Sequence, residues 1–357
     1  MNGNEALKKF FRLFEWNKLS TVFTMILGVV VGFSLTAFLL ASQGVSPVKA
    51  YASMFLGAFG SVPELAFTLL EFIPLGLAGL AVTLAYRCGV FNIGVEGQLY
   101  IAALFTTWIA VSFPAMPGYL LFSFCFLGGI AAAALFAAIP AVLKAKWGMN
   151  EVLICMLLNY VGINMVGLAV NSFLKAPNNP NPASAMLPRS TWLPVLIKGT
   201  YLHVGILFVF VIAIILYLVL FKTTGGYEIR STGYSQVASR YSGINVKRVM
   251  ILSMITSGMI AGMVGTVVIL GSHHRLLANF LVNYGYDAIA VSLLGGLNPL
   301  GVLVTALFFG ALKSGGHAMQ IAMGIPVSVV SVVVAVAILS IIAINQIRAL
   351  FFKRKRG

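Results

Sequence analysis

The sequence has little charge and little cysteine for its length. Of 357 residues only 9% are charged, whereas 60% are hydrophobic. A soluble domain carries about a quarter charged residues, so one or two water-soluble domains are excluded. The three cysteines lack CxxC spacing and the four histidines lack metal-ligand spacing. We therefore predict neither a disulfide framework nor a metal site.

Motifs for catalysis are also missing. The chain has no Gly-Lys dipeptide, which a Walker A phosphate loop requires, and no GxSxG nucleophile elbow. We therefore expect a chain that is not an enzyme, has no ATPase of its own and needs no cofactor.

Long apolar runs fill most of the sequence. A helix needs about 20 apolar residues to cross a bilayer, and backbone groups in hydrocarbon must pair within the segment. We predict an all-α membrane protein whose transmembrane domain, residues 21–347, holds about ten segments. These are Thr21–Ala41, Val62–Tyr86, Phe91–Phe113, Gly118–Leu143, Glu151–Leu174, Tyr201–Phe221, Val249–Leu270, Tyr286–Leu297, Asn298–Ser314 and Pro326–Ile347. The eighth segment has only 12 residues, about 18 Å as a helix, and is too short to cross alone.

The distribution of positive charge gives an orientation. The net charge is +15, with 23 Lys and Arg against 8 Asp and Glu. With a cytoplasmic N-terminus, 17 of the 23 fall on inner segments: Lys8, Lys9, Arg12, Lys18, Arg87, Lys144, Lys146, Lys222, Arg230, Arg240, Lys247, Arg248, Arg348, Lys353, Arg354, Lys355 and Arg356. Only five fall outside, Lys49, Lys175, Arg189, Lys198 and Arg275, and the remaining one, Lys313, lies at the end of the ninth segment. The positive-inside rule therefore predicts that residues 1–20 and the tail 348–357 are both cytoplasmic.

This distribution also bears on partners and symmetry. Because the positive charge follows the topology and no basic run is interleaved with stacking aromatics, we expect no nucleic-acid partner.

Five segments lie on each side of the outer loop 175–200. An odd number per half predicts inverted topology if the two halves are related, as in many transporters.

Several polar residues fall inside the predicted hydrocarbon region. A carboxylate there is costly and calls for a partner or a water-filled cavity. Glu71 and Glu96 both lie about 14 Å along their segments, and Asn92 is expected on the same helical face as Glu96. The substrate path is predicted to comprise Glu71, Asn92, Glu96, Tyr100, Asn159, Tyr160 and Asn298. The alternative is helix packing, with a satisfied carboxyl and interhelical hydrogen bonds.

The longest inner connection, residues 222–248, contains a short helical stretch, Tyr234–Tyr241, between two glycines. Such a piece is unstable alone in water and needs a surface to lie on. It is predicted to be a docking helix for a cytoplasmic partner. The alternative is a solvated basic loop.

Three ordered motifs carry a family resemblance: Phe91–Ala103, the loop at Gly243 followed by Ser257–Gly265, and Leu294–Gly301. They resemble the membrane permeases of bacterial ABC importers for ribose-like sugars, branched-chain amino acids and nucleosides. The Asn-Ile-Gly-Val-Glu-Gly-Gln form is most similar to the nucleoside or simple-sugar branch.

The resemblance implies an assembly in the bacterial inner membrane and a role for the inner loop. The expected partners are ATP-binding subunits, a second permease subunit, an extracytoplasmic binding protein or lipoprotein, and membrane lipid. The loop would hold a coupling helix seated in the ATPase, at Gly233, Ala238, Arg240, Tyr241, Gly243 and Ile244. We expect nucleosides as the solute, moved by alternating access. The alternatives are a ribose-like sugar and a proton-coupled secondary transporter in which Glu71 and Glu96 carry protons.

Overall fold

The computed structural model describes residues 30–177 and 181–354. These residues form helices joined by turns and isolated β-bridges, and no β-strand occurs among them. The N-terminal segment 1–20, residues 21–29 of the first predicted span, residues 178–180 of the outer loop and residues 355–357 of the tail lie outside the described residues.

The described helices follow one another with short connections. In chain order they are α1 (Val30–Ser42), α2 (Pro47–Phe59), α3 (Val62–Arg87), α4 (Val95–Ser112), α5 (Gly118–Trp147), α6 (Glu151–Asn171), α7 (Gly205–Lys222), α8 (Thr224–Tyr234), α9 (Gln236–Tyr241), α10 (Val246–Val268), α11 (Tyr284–Leu294), α12 (Pro299–Met323) and α13 (Val327–Arg354). A π-helical turn, Ile269–His273, extends α10.

Six helices among the described residues are long and apolar enough to cross a membrane: α3, α5, α6, α7, α10 with its π-helical turn, and α12. They confirm the all-helical, multi-pass class. The predicted third span is represented by α4, which has 18 residues. The total of ten segments, the 5+5 repeat and the cytoplasmic termini stay predictions.

The helices differ from the sequence prediction in two places. No helix is predicted between the first two spans, yet α2 forms there, with a proline in its first turn, where a missing N–H costs nothing. Its 13 residues are too few for detection by hydropathy. The ninth segment is predicted to end at Ser314, but α12 continues to Met323. Gly315 does not end the helix, because tertiary packing overrides its low helix propensity. It packs against α2, where a Cβ would lie 2.3 Å from the Met54 carbonyl oxygen.

The chain divides into two compact units. One holds the described residues up to Glu64 and those from Leu312 onward. Its helices meet at small side chains. A Cβ on Gly57 would lie 2.0 Å from the Ala318 Cβ, and one on Gly32 would lie 2.7 Å from the Ala337 Cα. Small residues of this kind let membrane helices approach backbone to backbone.

The other unit, Leu65–Ala311, contains the candidate site. Within it, α3 and α10 are mostly buried, whereas α5, α6 and α7 each leave a broad apolar face exposed. Glycines of α10 set its close packing. A Cβ on Gly258 would lie 2.3 Å from the Ala137 Cβ on α5, and one on Gly265 would lie 2.0 Å from the Leu99 carbonyl oxygen on α4. The start of α4 is thereby fixed against the core.

Candidate functional site at the ends of a short helix

The short helix α11 lies at the centre of the predicted polar set. It has 11 residues, about 16 Å, which confirms the short eighth segment. Asn283, in the left-handed conformation with φ 67°, precedes it. The first amides of any helix lack partners within the helix and need acceptors from elsewhere.

Glu96 supplies these acceptors. Its Oε1 accepts a hydrogen bond from the Asn283 amide at 2.8 Å, and its Oε2 accepts one from the Gly285 amide at 2.5 Å. The carboxylate is 1% exposed, and the positive end of the helix dipole favours a negative group here. A Cβ on Gly285 would lie 2.4 Å from the Glu96 amide nitrogen, so the approach requires glycine. Glu96 therefore caps α11.

Glu71, on α3, reaches the same end of the helix. It accepts a hydrogen bond from the Tyr284 hydroxyl, and Tyr284 is the first residue of α11. The two carboxylates thus both bind residues at the amino end of α11. The alternative of helix packing fits Glu96, whose two oxygens both accept backbone bonds.

Asn159 and Tyr100 tie further elements to this point. The Asn159 Oδ1 accepts from the Gly97 amide at 2.8 Å, while its Nδ2 donates to the Ile93 carbonyl at 3.0 Å and to the Tyr286 hydroxyl at 3.1 Å. One side chain on α6 therefore holds both the start of α4 and the first turn of α11. The Tyr100 ring, 1% exposed, lies 5.0 Å from the Phe280 ring just before α11.

Asn92 lies elsewhere than predicted. Because α4 begins only at Val95, Asn92 is in the preceding loop and does not share a helical face with Glu96. It pairs with Gln98, each side-chain amide donating to the other's oxygen at 3.0 Å. It also donates to the Ser257 hydroxyl at 2.8 Å, and that hydroxyl donates to the Ala81 carbonyl. The glycine-rich loop is thereby fastened to α10 and α3.

Besides Asn92, two further predicted residues lie away from the start of α11. Tyr160 is 65% exposed on α6, and its carbonyl accepts from the Asn164 side chain at 2.7 Å. Asn298 lies beyond the opposite end of α11, where its Oδ1 accepts from the Leu300 amide at 3.0 Å and starts α12. The structure therefore brings Glu71, Glu96, Asn159 and Tyr100 together around the start of α11.

The sequence reasoning missed the residues of α11 that these groups bind. Asn283, Tyr284, Gly285 and Tyr286 were not among the candidates, although each makes one of the contacts described above. The signal was a polar and aromatic run, Asn-Tyr-Gly-Tyr-Asp, at the start of an otherwise apolar segment.

The inner connection folds into two helices. The Ser231 and Ser239 hydroxyls, 2.8 Å apart, join α8 to α9. The helix α9 falls within the predicted stretch Tyr234–Tyr241. Tyr234, Val237 and Tyr241 are 88%, 68% and 90% exposed. The predicted coupling residues Gly233, Ala238, Arg240, Tyr241 and Gly243 are all exposed, whereas Ile244 is half-buried against an apolar cluster.

Chemically, the arrangement positions a helix. Among the described residues, no group of three or more His, Cys, Asp or Glu side chains is placed to hold a metal ion. The buried polar groups bind backbone amides, carbonyls and hydroxyls, so they fix α11 within the apolar interior of this unit, where unpaired polar groups are costly.

Known proteins resemble the chain over most of its length. Residues 64–343 match the family model described as branched-chain amino acid transport system / permease component. The guanosine ABC transporter permease NupP of Bacillus subtilis is 32% identical over 95% of this chain and 98% of its own. The nucleoside ABC transporter permease NupB of Lactococcus lactis is 32% identical over 93% of each chain. The glucose ABC transporter permease TsgB13 of Haloferax volcanii is 33% identical over 93% of this chain and 89% of its own.

No solved structure gives a significant match to the chain. The family match covers well over half of the sequence, and the relatives cover nearly all of it. The chain therefore belongs to the branched-chain amino acid transport system / permease component family.

Proposed function

We propose that this chain is the membrane-spanning permease subunit of an ABC importer that carries nucleosides across the bacterial inner membrane. The observation that carries the proposal is 32% identity, over 95% and 93% of the chain, to permeases named for guanosine and for nucleosides. The Asn-Ile-Gly-Val-Glu-Gly-Gln motif and the six apolar helices support it.

The seven predicted residues take two roles in this proposal. Tyr160 lies on an exposed face of α6 together with Asn164 and Asn171, four and eleven residues further along. An exposed amide in a membrane span is costly unless it faces water or protein, so this face is proposed to line the path beside a second permease subunit. Tyr160 offers a ring on which a base can stack.

The other six residues form the frame of the path. Glu71, Glu96, Tyr100 and Asn159 hold the start of α11, Asn298 begins the next helix, and Asn92 fastens the loop before α4. Alternating access requires a rigid element that can be reoriented around the solute. We assign that role to α11 and the groups bound to it.

Energy is proposed to come from separate ATP-binding subunits that dock on α8 and α9. Exposed Tyr234, Val237 and Tyr241 give this surface large side chains of the kind that anchor protein interfaces. The predicted coupling residues Gly233, Ala238, Arg240, Gly243 and Ile244 surround these three. An extracytoplasmic binding protein or lipoprotein is proposed to deliver the solute on the other side.

A second candidate function is sugar import. The glucose permease TsgB13 is 33% identical to this chain, a value similar to that of the nucleoside permeases. The exposed ring and side-chain amides on α6 suit any uncharged, hydroxyl-bearing ring, so they do not separate the two solutes.

Uptake into proteoliposomes tests both candidates. The permease is reconstituted with its ATP-binding subunits, a second permease and the binding lipoprotein, and labelled guanosine, uridine and glucose are supplied with ATP inside. We expect ATP-dependent uptake of the nucleosides. Uptake of glucose alone would favour the sugar importer. Uptake by the chain alone, driven by a proton gradient without ATP, would refute both.

A further inference from the structure

We propose that Arg87 is a positioning residue for transport, which links the cytoplasmic helix α8 to the carboxyl end of α11. The inference rests on the proposed function, since it needs ATP-binding subunits that move α8. It concerns a residue at the opposite end of α11 from the carboxylates Glu71 and Glu96.

The guanidinium of Arg87 binds the turn that follows α11. Its Nε donates to the Leu297 carbonyl at 2.6 Å, and its Nη2 donates to the Gly296 carbonyl at 3.3 Å. Both acceptor residues have positive φ, 53° and 67°, so their carbonyls are turned away from the regular helical direction. A cation is favoured where a helix ends and its carbonyls lack partners.

The two ends of α11 therefore carry opposite charges. Glu96 accepts from the amides at the amino end, and Arg87 donates to the carbonyls just past the carboxyl end. Each charge opposes the partial charge of the helix terminus that it faces. Held in this way at both ends, an 11-residue helix moves as one body with whatever moves Arg87.

The backbone of Arg87 is in turn in contact with α8. A Cβ built on Gly233 would lie 2.1 Å from the Arg87 carbonyl oxygen, and one built on Gly89 would lie 3.3 Å from the Gly233 Cα. The last turn of α8 therefore lies directly on the Arg87–Gly89 turn, with no room for a side chain between them. A displacement of α8 toward the membrane is passed to Arg87 without an intervening flexible group.

Side chains reinforce this contact. The Arg87 guanidinium lies 5.6 Å from the centre of the Phe221 ring, and the Arg230 guanidinium on α8 lies 5.4 Å from the same ring. Phe221 at the end of α7 thus holds both arginines beside one another, so α7, α8 and the end of α3 meet at this point.

One pair of glycine variants tests the link. In the assembled complex in proteoliposomes, Gly233→Ala separates α8 from Arg87. Gly225→Ala is the matched control on the same helix, because its Cβ meets only the Thr223 Oγ1 at 4.0 Å. We expect Gly233→Ala to lower the solute transported per ATP hydrolysed by about tenfold, the upper part of the range for coupling residues. Gly225→Ala should keep the wild-type ratio.

Arg87→Gln and Arg87→Lys test the same link from the other side. We expect Arg87→Gln to lower the ratio by a similar factor, and Arg87→Lys to restore part of it, since an ammonium can donate to one of the two carbonyls. A purely structural role would lower uptake and hydrolysis together, in proportion to the folded complex, and would leave the ratio unchanged.

The outcomes separate the inference from the function on which it rests. Absence of ATP-dependent nucleoside uptake in the wild-type complex would refute the proposed function, and this inference with it. A wild-type ratio in both Gly233→Ala and Arg87→Gln, in a complex that transports, would overturn the inference alone. Failure of both variants to assemble would assign Arg87 to folding and would also overturn it.

Discussion

A carboxylate buried in an apolar chain must be compensated by hydrogen bonds or by opposite charge. At Glu96 the compensation includes two backbone amides at the start of α11, at 2.8 and 2.5 Å. Both side-chain oxygens are used as acceptors. The residue type therefore follows from the geometry, because a side-chain amide of the same size has only one oxygen.

Glu96→Gln tests whether this carboxylate is structural. Its nitrogen would face one of the two backbone N–H groups, so we expect unfolding free energy to fall by about 2 kcal/mol. Thermal unfolding of the purified permease in detergent measures the change. Glu228→Gln, at an exposed position on α8, is the control and should have no effect. Unchanged stability with abolished uptake would instead place Glu96 in contact with the solute.

Glycine positions on α6 allow a second test at single residues. A Cβ on Gly162 would lie 2.8 Å from the Gly97 carbonyl oxygen and 3.0 Å from its Cα, whereas one on Gly167 would meet nothing within 4 Å. We expect Gly162→Ala to destabilise the permease by about 1–3 kcal/mol. Gly167→Ala should be neutral or raise stability by up to about 1 kcal/mol. Equal melting temperatures for the two variants would contradict close packing of α6 on α4.

Among the elements, the outer loop is more ordered than its proline and asparagine content predicts. Isolated bridges join Lys175 to Ser184 and Val195 to His203 in its described part. The His203 Nδ1 accepts from the Gly205 amide at 3.1 Å, and its Nε2 lies 3.1 Å from the Ser272 hydroxyl. This buried, neutral imidazole therefore helps to fix the end of the loop at the start of α7.

The loop should lose stability in acid. Burial and, to a smaller extent, the nearby His274 lower the pKa of His203 to about 4. Between pH 6.5 and 4 the unfolded chain binds a proton that the folded chain does not. The free energy of unfolding therefore decreases as the pH is lowered through this range, by at most about 3 kcal/mol. Thermal unfolding from pH 7.5 to 4.5 measures this loss, and His203→Gln should reduce it. An equal loss in that variant would assign the effect to other groups.

The sequence predicted helices better than it predicted their contacts. Hydropathy located the long spans and the short α11, because length and apolar content decide which helices cross a bilayer. It missed α2, whose 13 residues are too few to stand out. It also placed Asn92 in a helix, where the glycines around it instead favour a loop.

The sequence identified some of the polar residues of the candidate site but not the groups that they bind. Glu71, Glu96 and Asn159 were identified because polar groups in hydrocarbon are costly. Their partners could not be read from the sequence, since the amides that Glu96 binds are 187 and 189 residues away. Such pairings depend on how α11 packs against α4, which is a property of the folded unit.

For the whole molecule, the net charge of +15 is consistent with docking of a cytoplasmic partner. Positive side chains such as Arg230, Arg240 and Lys247 lie near the exposed aromatic residues of α8 and α9 in the sequence. Basic side chains around the docking surface are expected to steer a partner of complementary charge, which affects the association rate more than the final affinity.

The docking surface itself should depend on its exposed aromatics. Tyr241 is 90% exposed on α9, and Tyr201, at the outer end of the predicted sixth segment, is 78% exposed just before α7. An aromatic anchor in an interface is worth about 2 kcal/mol or more, roughly thirtyfold in affinity. We expect Tyr241→Ser to reduce co-purification of the ATP-binding subunits by about that factor. Tyr201→Ser should leave it unchanged, because the outer end of that segment is predicted to lie on the opposite side of the membrane from the ATP-binding subunits. Loss of the subunits with Tyr201→Ser and retention with Tyr241→Ser would invert the predicted topology, since the ATP-binding subunits are confined to the cytoplasm.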